Sequence, residues 1–551
     1  MFFYILVAIL SGLETSAYPH ISHPTEIVSS VTIADNSTAR SSTTIDITNL
    51  PPEVFEANPG LDNAVANDGR DDSTTIQAAI NWLTAESRAD TTATLYIPEG
   101  VFDLAKTLNV NRANIVFKGA GRGRTVLQNR SSFKVGTQGL PDGETVFDSI
   151  DQNSYLFSLK KTANNVSFTN MTLTGPEIHG AIFSGRNQGL VLKNLEFKDF
   201  LWSSVRLFQV KNATIHDNIF IDAGGQGHGD SGITSGSIFA TYLKDSEIYN
   251  NDISKSGQRN INVYGIKGRQ FRNVRISNNS IKTDFSIELP FENDRFVEID
   301  HNYLSGTISI PKFGGGNIPE DGFTFHIHHN YFTSSYSLEW ARNGAEINNN
   351  VFVFDTGKDH GNLISNFGEE PANGPTKFHN NLIVNPGRGV VWHKGIYNNF
   401  SFYNNEVIAN QTETPRKAGL FGFHKKTDFS TIEIKDNLIR VNGISRPLMR
   451  NQDSYRAVIE NNKLINIADV NDFNNPETGS PQGLLEPLNF RVGVNGEFTV
   501  NGTELSATHS ETTTAMSQDD PGMPGSPRGR QWSPRQFVAS WLKWVGAMVT
   551  G

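Results

Sequence analysis

The chain reads as an all-β solenoid, a parallel β-helix with a helix capping its N-terminal end, on three observations. First, a motif of paired polar residues recurs from Ile276 to Asn350 as Ser-Asn-Asn, Asp-His-Asn, His-His-Asn and Asn-Asn-Asn, closing on Asn279, Asn302, Asn330 and Asn350. The same mark stands at Asn194, Asn218 and Asn251 upstream and at Asn381, Asn405, Asn437 and Asn462 downstream, with gaps of 20 to 33 residues, which is a solenoid period. Second, an apolar residue follows most of these asparagines at once, as in Asn218-Ile219-Phe220, Asn381-Leu382 and Asn437-Leu438. Third, the segments between are short, rich in Val, Ile and Phe, and alternate with period two, as in Val297-Glu298-Ile299-Asp300. No lap holds the ten or more helix-patterned residues that a helical or leucine-rich repeat needs.

The asparagines have a physical reason to recur. Asn tolerates the left-handed backbone region, and its amide can bond backbone groups at a bend. Stacked coil on coil, such amides are expected to bond one another in a ladder along the axis.

Taken in order, the chain opens with an apolar run from Met1 to Leu10 and then small and polar residues to Ala17, the pattern of a signal peptide over residues 1–17. Secretion to the extracellular space follows as the expected localisation. Sequons such as those at Asn36 and Asn399 suit a glycoprotein. Residues 18–55 read as a Ser/Thr-rich linker and 56–470 as the β-helix. Asp71-Asp72 followed by Ile76, Ile80, Trp82 and Leu83 predicts an acid-capped amphipathic helix that covers the open end of the coil. Thr94 to Phe102 reads as strand and turn, and laps are expected from Ile115 to about Leu464. The Gly-rich run from Gly224 to Gly232 predicts a loop at the rim of a cleft and lacks the strand and helix of a phosphate loop. Residues 471–510 read as a closing segment and 511–551 as a disordered tail, whose apolar end is too short to span a bilayer.

Composition narrows the function classes. The sequence has no cysteine, which excludes thiol catalysis and Cys-ligated zinc, and stability must come from the stacked core. A net charge of -10 argues against a nucleic-acid partner, while a local basic cluster can still hold an anionic polymer. The expected partner is an anionic polysaccharide, with no nucleic acid, no membrane and a monomeric chain.

Registering the laps on their asparagines aligns Ile261–Tyr264, Ile287–Asn293, Ile308–Lys312, Leu338–Arg342, Val391–Lys394 and Leu420–Lys425. Their outward positions collect Asn262, Tyr264, Glu288, Glu292, Lys312, Glu339, Arg342, His393, Lys394 and His424. Ion pairs decorate any β-solenoid, but acids, bases and aromatics concentrated on one strand point to a cleft. The mixture suits β-elimination on a uronic-acid polymer. That reaction needs a base for the proton beside a carboxylate, a donor or cation for that carboxylate, and an acid for the leaving oxygen. Lys312, followed by Gly314 to Gly316, is the candidate base; Arg342 neutralises the carboxylate; Tyr264 or His393 protonates the leaving group. Glu288 and Glu292 could bind Ca²⁺, and with Asn262, Glu339, Lys394 and His424 hold the sugar. His326 and His328 share a face, a weaker metal candidate.

The helix and Pro98-Glu99-Gly100 turn ahead of an asparagine ladder resemble the entry segment of the pectate-lyase-like superfamily. Glu-x-x-x-Glu on one lap, Lys on the next and Arg on a later one resemble the right-handed β-helix lyases acting on alginate and dermatan-type chains. The resemblance implies a right-handed coil, a Lys base and an Arg beside a neutralised carboxylate, with alginate the leading substrate. Lys312 sits in Ile-Pro-Lys-Phe-Gly-Gly-Gly, outside the Lys-x-Ser-Ser-x-x-Asn-Thr pattern of one such group. A polygalacturonase-type hydrolase, a mannuronan C5-epimerase and a non-catalytic carbohydrate-binding solenoid stay open as alternatives.

Overall fold

The computed structural model describes residues 43–84, 91–133, 152–224, 236–255, 264–289, 295–309, 325–333, 338–339, 344–354, 363–366, 375–386, 389–393, 399–411, 419–423, 431–443, 448–450, 457–465, 467, 490–492, 498–500 and 503–505. The expected signal peptide, the first part of the linker, the Gly-rich loop from 225 to 232 and the tail 511–551 lie outside these residues. Of the closing segment, Phe490–Val492, Phe498–Val500 and Thr503–Leu505 form an antiparallel three-stranded sheet.

The body is a right-handed parallel β-helix whose coils each contribute three short strands. One coil runs Tyr264–Arg269, Arg272–Ser277 and Ser280–Lys282, and the next runs Phe285–Glu288, Arg295–Asp300 and Tyr303–Leu304. The first strands stack as a 13-stranded parallel sheet, here the first row. The second and third strands stack as two further rows joined at the asparagine turn. Alternation sends one side chain in two inward, so that Ile276, Ile299, Ile327 and Ile347 fall in register inside the coil. Phe332, Phe352, Phe378 and Phe402 stack ring on ring at 4.5, 5.6 and 5.3 Å. Each such buried ring contributes about 2–3 kcal/mol by removal from water, and the stacks add up along the axis.

The asparagine ladder is continuous. From Asn218 through 251, 279, 302, 330, 350, 381, 405 and 437 to Asn462, each amide nitrogen donates to the next Asn Oδ1 at 2.8–3.1 Å. Each of these backbone N–H groups, that of Asn462 aside, donates to the same oxygen, as Asn302 does to Asn330 at 3.0 Å. Asn302 Nδ2 also reaches Ile276 O in the coil before and Asp300 O in its own. Two corrections follow. The left-handed residue at the bend is the one before the ladder asparagine: Asp217, Asn250, Asn278, His301, His329, Asn349, Asn380, Asn404, Asp436 and Asn461, all with φ between 53° and 56°. Asn194 belongs to that bend series, with φ 52°, and its amide donates to Asn170 Oδ1; the ladder ends instead where Asn218 Oδ1 accepts the N–H of Leu195.

The N-terminal cap forms as expected, with more of it than the sequence suggested. Ser73–Leu83 is a helix that buries Ile76, Ala79, Ile80 and Leu83. Asp71 Oδ1 accepts the N–H of Ser73 at the helix start, while the buried Asp72 carboxyl accepts the N–H of Asp103. Burial drives the Asp72 carboxyl up to about 6. Gln77 finishes the exposed strand edge by accepting the Asn109 N–H and donating to the Asn109 carbonyl, as a neighbouring strand would. The linker stops short of residue 55, because Thr43–Asp46 pairs in parallel with Ala93–Ile97 and Pro52–Ala57 is helical. The coil therefore starts before Ile115; the helices inserted between these strands hide the period. Among the described residues no helix is long and apolar enough to cross a membrane.

Candidate functional site

The first row carries the site. Register brings Ser158, Phe183, Arg206, Phe239, Lys267, Glu288 and Ser309 into one outward file on seven successive coils, and the backbone register continues through Glu339, Ser365 and Trp392. Their neighbours along each strand, such as Ile238, Ala240, Ile266 and Ile287, form the core. Phe183, Arg206 and Phe239 belong to the opposite face and are buried all the same. The Arg206 guanidinium lies 4.2 Å from the Phe239 ring centre and donates to the Leu207 carbonyl at 2.8 Å. Trp202 meets Phe239 edge to face at 5.5 Å, and His179 meets Trp202 at 6.2 Å.

At the next step the file becomes ionic. Lys267 Nζ lies 2.7 Å from Glu288 Oε2, with side-chain exposures of 9% and 17%. Lys267 Nζ is also 5.3 Å from the centre of the Tyr264 ring, which stacks on Phe285 at 4.6 Å and 2°. An ammonium held between a carboxylate and an aromatic face keeps its aim, because leaving either partner would strand a charge away from water. Such a group can neutralise a substrate anion, and Glu288 can accept from sugar hydroxyls.

The sequence alignment is partly displaced by this register. Tyr264 pairs with Phe285 at the strand entrance, so the pair beside Glu288 is Lys267, which the alignment missed. The backbone of Glu339 registers with Ser309 and Ser365, whereas Trp392 takes the register expected of His393, which pairs with Asn366 and Phe423. Asn262, Glu292, Lys312, Arg342, Lys394 and His424 lie outside the described residues. Arg206, Phe239 and Lys267 were findable: each stands twelve residues before its ladder asparagine, Asn218, Asn251 and Asn279.

For metals, no group of three or more His, Asp or Glu side chains is arranged as a ligand set among the described residues. Of the expected Ca²⁺ pair, Glu288 faces the Lys267 ammonium and Glu292 lies outside the described residues. His326 and His328 are held by carboxylates on neighbouring coils of the second row. His328 Nε2 is 3.0 Å from Glu298, and Glu346 is shared by His326 at 3.4 Å and His379 at 3.2 Å. Arg275 grips Asp300 with two hydrogen bonds of 2.9 and 2.7 Å. Burial raises the Asp300 carboxyl, but the bonds from Arg275 and His301 outweigh it and hold it down at about 2. Hydrogen bonds from His326 and His379 lower Glu346 further. Burial first, then the charge of His328 and His301, lowers His329 to about 4.

The chain is similar to several known proteins. Solved structures similar to the chain include the A-module of mannuronan C-5 epimerase AlgE4 from Azotobacter vinelandii, at 14% identity, 76% of this chain, 98% of that one and a TM-score of 0.34. A tailspike protein of an E. coli bacteriophage in complex with a pentasaccharide is similar at 10% identity, 76% and 78% coverage and a TM-score of 0.47. The surface adhesin PfbA of Streptococcus pneumoniae is similar at 12% identity, 84% and 98% coverage and a TM-score of 0.39. No curated protein sequence matches the chain. The profile described as rhamnogalacturonase A/epimerase, pectate lyase-like, matches residues 61–351, more than half of the 551. The chain belongs to this carbohydrate-active β-helix family, the rhamnogalacturonase A/epimerase, pectate lyase-like proteins.

Proposed function

We propose that the protein cleaves a uronic-acid-containing polysaccharide, alginate first, by β-elimination on the outward face of the first row. The observation that carries this reading is the Lys267–Glu288 pair under the Tyr264 ring. A uronate gives up the proton beside its carboxylate only when that carboxylate is neutralised, and a desolvated, oriented ammonium is suited to the task. In this reading Lys267 and Arg342 hold the uronate carboxylate and Lys312 takes the neighbouring ring proton. The electron pair forms the new carbon–carbon double bond as the glycosidic carbon–oxygen bond breaks, and Tyr264 or His393 protonates the departing oxygen. Asn262, Glu292, Lys394 and His424 bind the flanking sugars, and the expected signal peptide delivers the enzyme to an extracellular polymer.

One observation favours a second reading. Glu288 and Glu339 take the same backbone register two strands apart, about 10 Å along the axis at the usual spacing. Two carboxylates near that separation serve inverting hydrolysis.

The experiment follows ultraviolet absorbance of unsaturated uronate and, in parallel, reducing ends, on alginate, polygalacturonate, glucuronan and dermatan sulfate, with and without chelator. Elimination predicts a rise on one polymer that Lys267→Met lowers on the order of 100-fold, the usual loss for one electrostatic donor. Reducing ends without absorbance, abolished by Glu288→Gln, would turn the reading to hydrolysis; neither signal would remove both.

A further inference from the structure

Where the first row turns into the second, the structure lines up four cations. Lys211, Lys244, Arg272 and Arg295 occupy one register position on four successive coils. Lys211, Lys244 and Arg272 are exposed and Arg295 is half-buried. On the coil before Lys211 the register position is Gln188, with the exposed Arg186 two residues ahead of it. Only Lys244 has a carboxylate near, Asp245 at 3.5 Å; among the described residues Lys211, Arg272 and Arg295 form no ion pair. Adjacent coils stack about 4.8 Å apart, so like charges face one another along the file. The fold makes no use of them, and the whole chain carries -10.

The residues next in line are built to present this file. Asn212, Asp245, Asn273 and Phe296 all take left-handed φ, between 50° and 54°, and Asn273 Nδ2 donates to Asp245 Oδ1 at 2.9 Å. The bend faces the cations outward and sets an amide or carboxylate beside each of the first three. Arg272 stands five residues beyond Lys267 on the same coil, so the file runs along the border of the first-row site.

We propose that Lys211, Lys244, Arg272 and Arg295 form a rail on which an anionic polysaccharide chain docks along the solenoid axis, outside the Lys267–Glu288 site. A single file of cations one coil apart fits one thin chain with a charge on each or every other sugar, and the flanking Asn and Asp side chains suit its hydroxyls. A nucleic-acid duplex presents two charged strands and calls for a broad basic face; an anionic bilayer calls for a planar one. The charge of the rail is independent of the reaction; the choice of a polysaccharide as its occupant rests on the reading above.

The test uses the full chain made in a bacterial host, so that Asn212 carries no glycan, run on native gels containing alginate, polygalacturonate or neutral dextran. Binding of an oligo-dT is followed in parallel. The triple variant Lys211→Gln/Lys244→Gln/Arg272→Gln should bind a uronate polymer roughly ten-fold more weakly, since each exposed pair contributes roughly a factor of two to five. Its retardation should depend less on salt, its circular dichroism and melting should be unchanged, and dextran should retard neither protein. The triple variant should lose retardation by the larger factor and Lys267→Met should lose turnover by the larger factor, so failure of the reaction and failure of the rail are separate results. Equal retardation of wild type and triple variant overturns the rail, as does a wild type that no polyanion retards at low salt. A triple variant that loses oligo-dT but keeps the uronate polymer also overturns it.

Discussion

From Asn212 to Phe296 each coil bends sharply into and out of its second strand, and both bends use a residue with left-handed φ, yet the two series look nothing alike. At the ladder turn the residue after the bend faces inward and is Asn on ten coils running. At the other turn the residue before the bend faces water and varies as Lys, Lys, Arg and Arg, beside Asn, Asp, Asn and Phe. The inner position must donate and accept along the axis, and the primary amide is the side chain that does both in so little space. The outer position has no such demand, so what stands there is available to a partner. Uniformity along the axis marks structure; departure from it marks function.

The comparison breaks first, and hardest, at the ladder. Asn302→Ala removes the oxygen that accepts both the backbone and the side-chain N–H of Asn279, and the amide that donates to the carbonyls of Ile276 and Asp300, all in buried surroundings; Asn330 Oδ1 keeps the backbone N–H of residue 302. The loss should be about 3–5 kcal/mol, read as a fall in the urea midpoint. Lys244→Gln at the outer turn should move that midpoint by less than about 0.5 kcal/mol. A ladder variant as stable as the wild type would sink the contrast between the turns.

The same contrast explains what the sequence revealed. The laps were legible because one obligatory amide per coil leaves a mark, and the strands were legible because burial imposes period two. First-row register was not, because the loops between the first row and the ladder differ in length. Lys267 precedes Asn279 by twelve residues, but Ser309 precedes Asn330 by twenty-one. Counting from the asparagines thus set Tyr264 where Lys267 stands and His393 where Trp392 stands. At Glu288 and Glu339 the count and the backbone register coincide, each on a coil with few strand residues to choose from.

A milder break lies at the bends that carry histidine. Six of the ten ladder bends hold Asn, while His301 and His329 stack at 5.1 Å and His328 Nδ1 meets His329 Nδ1 at 2.8 Å. The folded state keeps His329 neutral down to about 4, whereas an unfolded histidine protonates near its ordinary 6.5. Protons therefore favour the unfolded chain as pH falls from about 6.5 to 4, and stability present above that window is lost within it. Partial exposure screens the effect to about 1 kcal/mol. The depressed Glu298, Asp300 and Glu346 continue the loss below about 4.5. His329→Asn restores the residue of the other bends and should flatten the urea midpoint between pH 6.5 and 4.5, with the decline below remaining. An unchanged slope in that window would assign the histidine no role in it.

An effect of opposite sign belongs to Phe296. It holds φ 54° at a bend where the coils before it use Asn212, Asp245 and Asn273, and half of its surface is exposed. A bulky side chain in the left-handed region costs about 1–2 kcal/mol, and an exposed ring recovers little of that from packing. Phe296→Asn should therefore stabilise the protein by about 1 kcal/mol, seen as a higher urea midpoint with unchanged slope. The same variant should weaken retardation by a uronate polymer if the ring, next to Arg295 at the end of the cation file, contributes a face for sugar to pack on. A gain in stability with a loss in binding would show that this bend departs from its series for the sake of a partner; a gain with no loss would confine the partner's contacts to the cations and their polar neighbours.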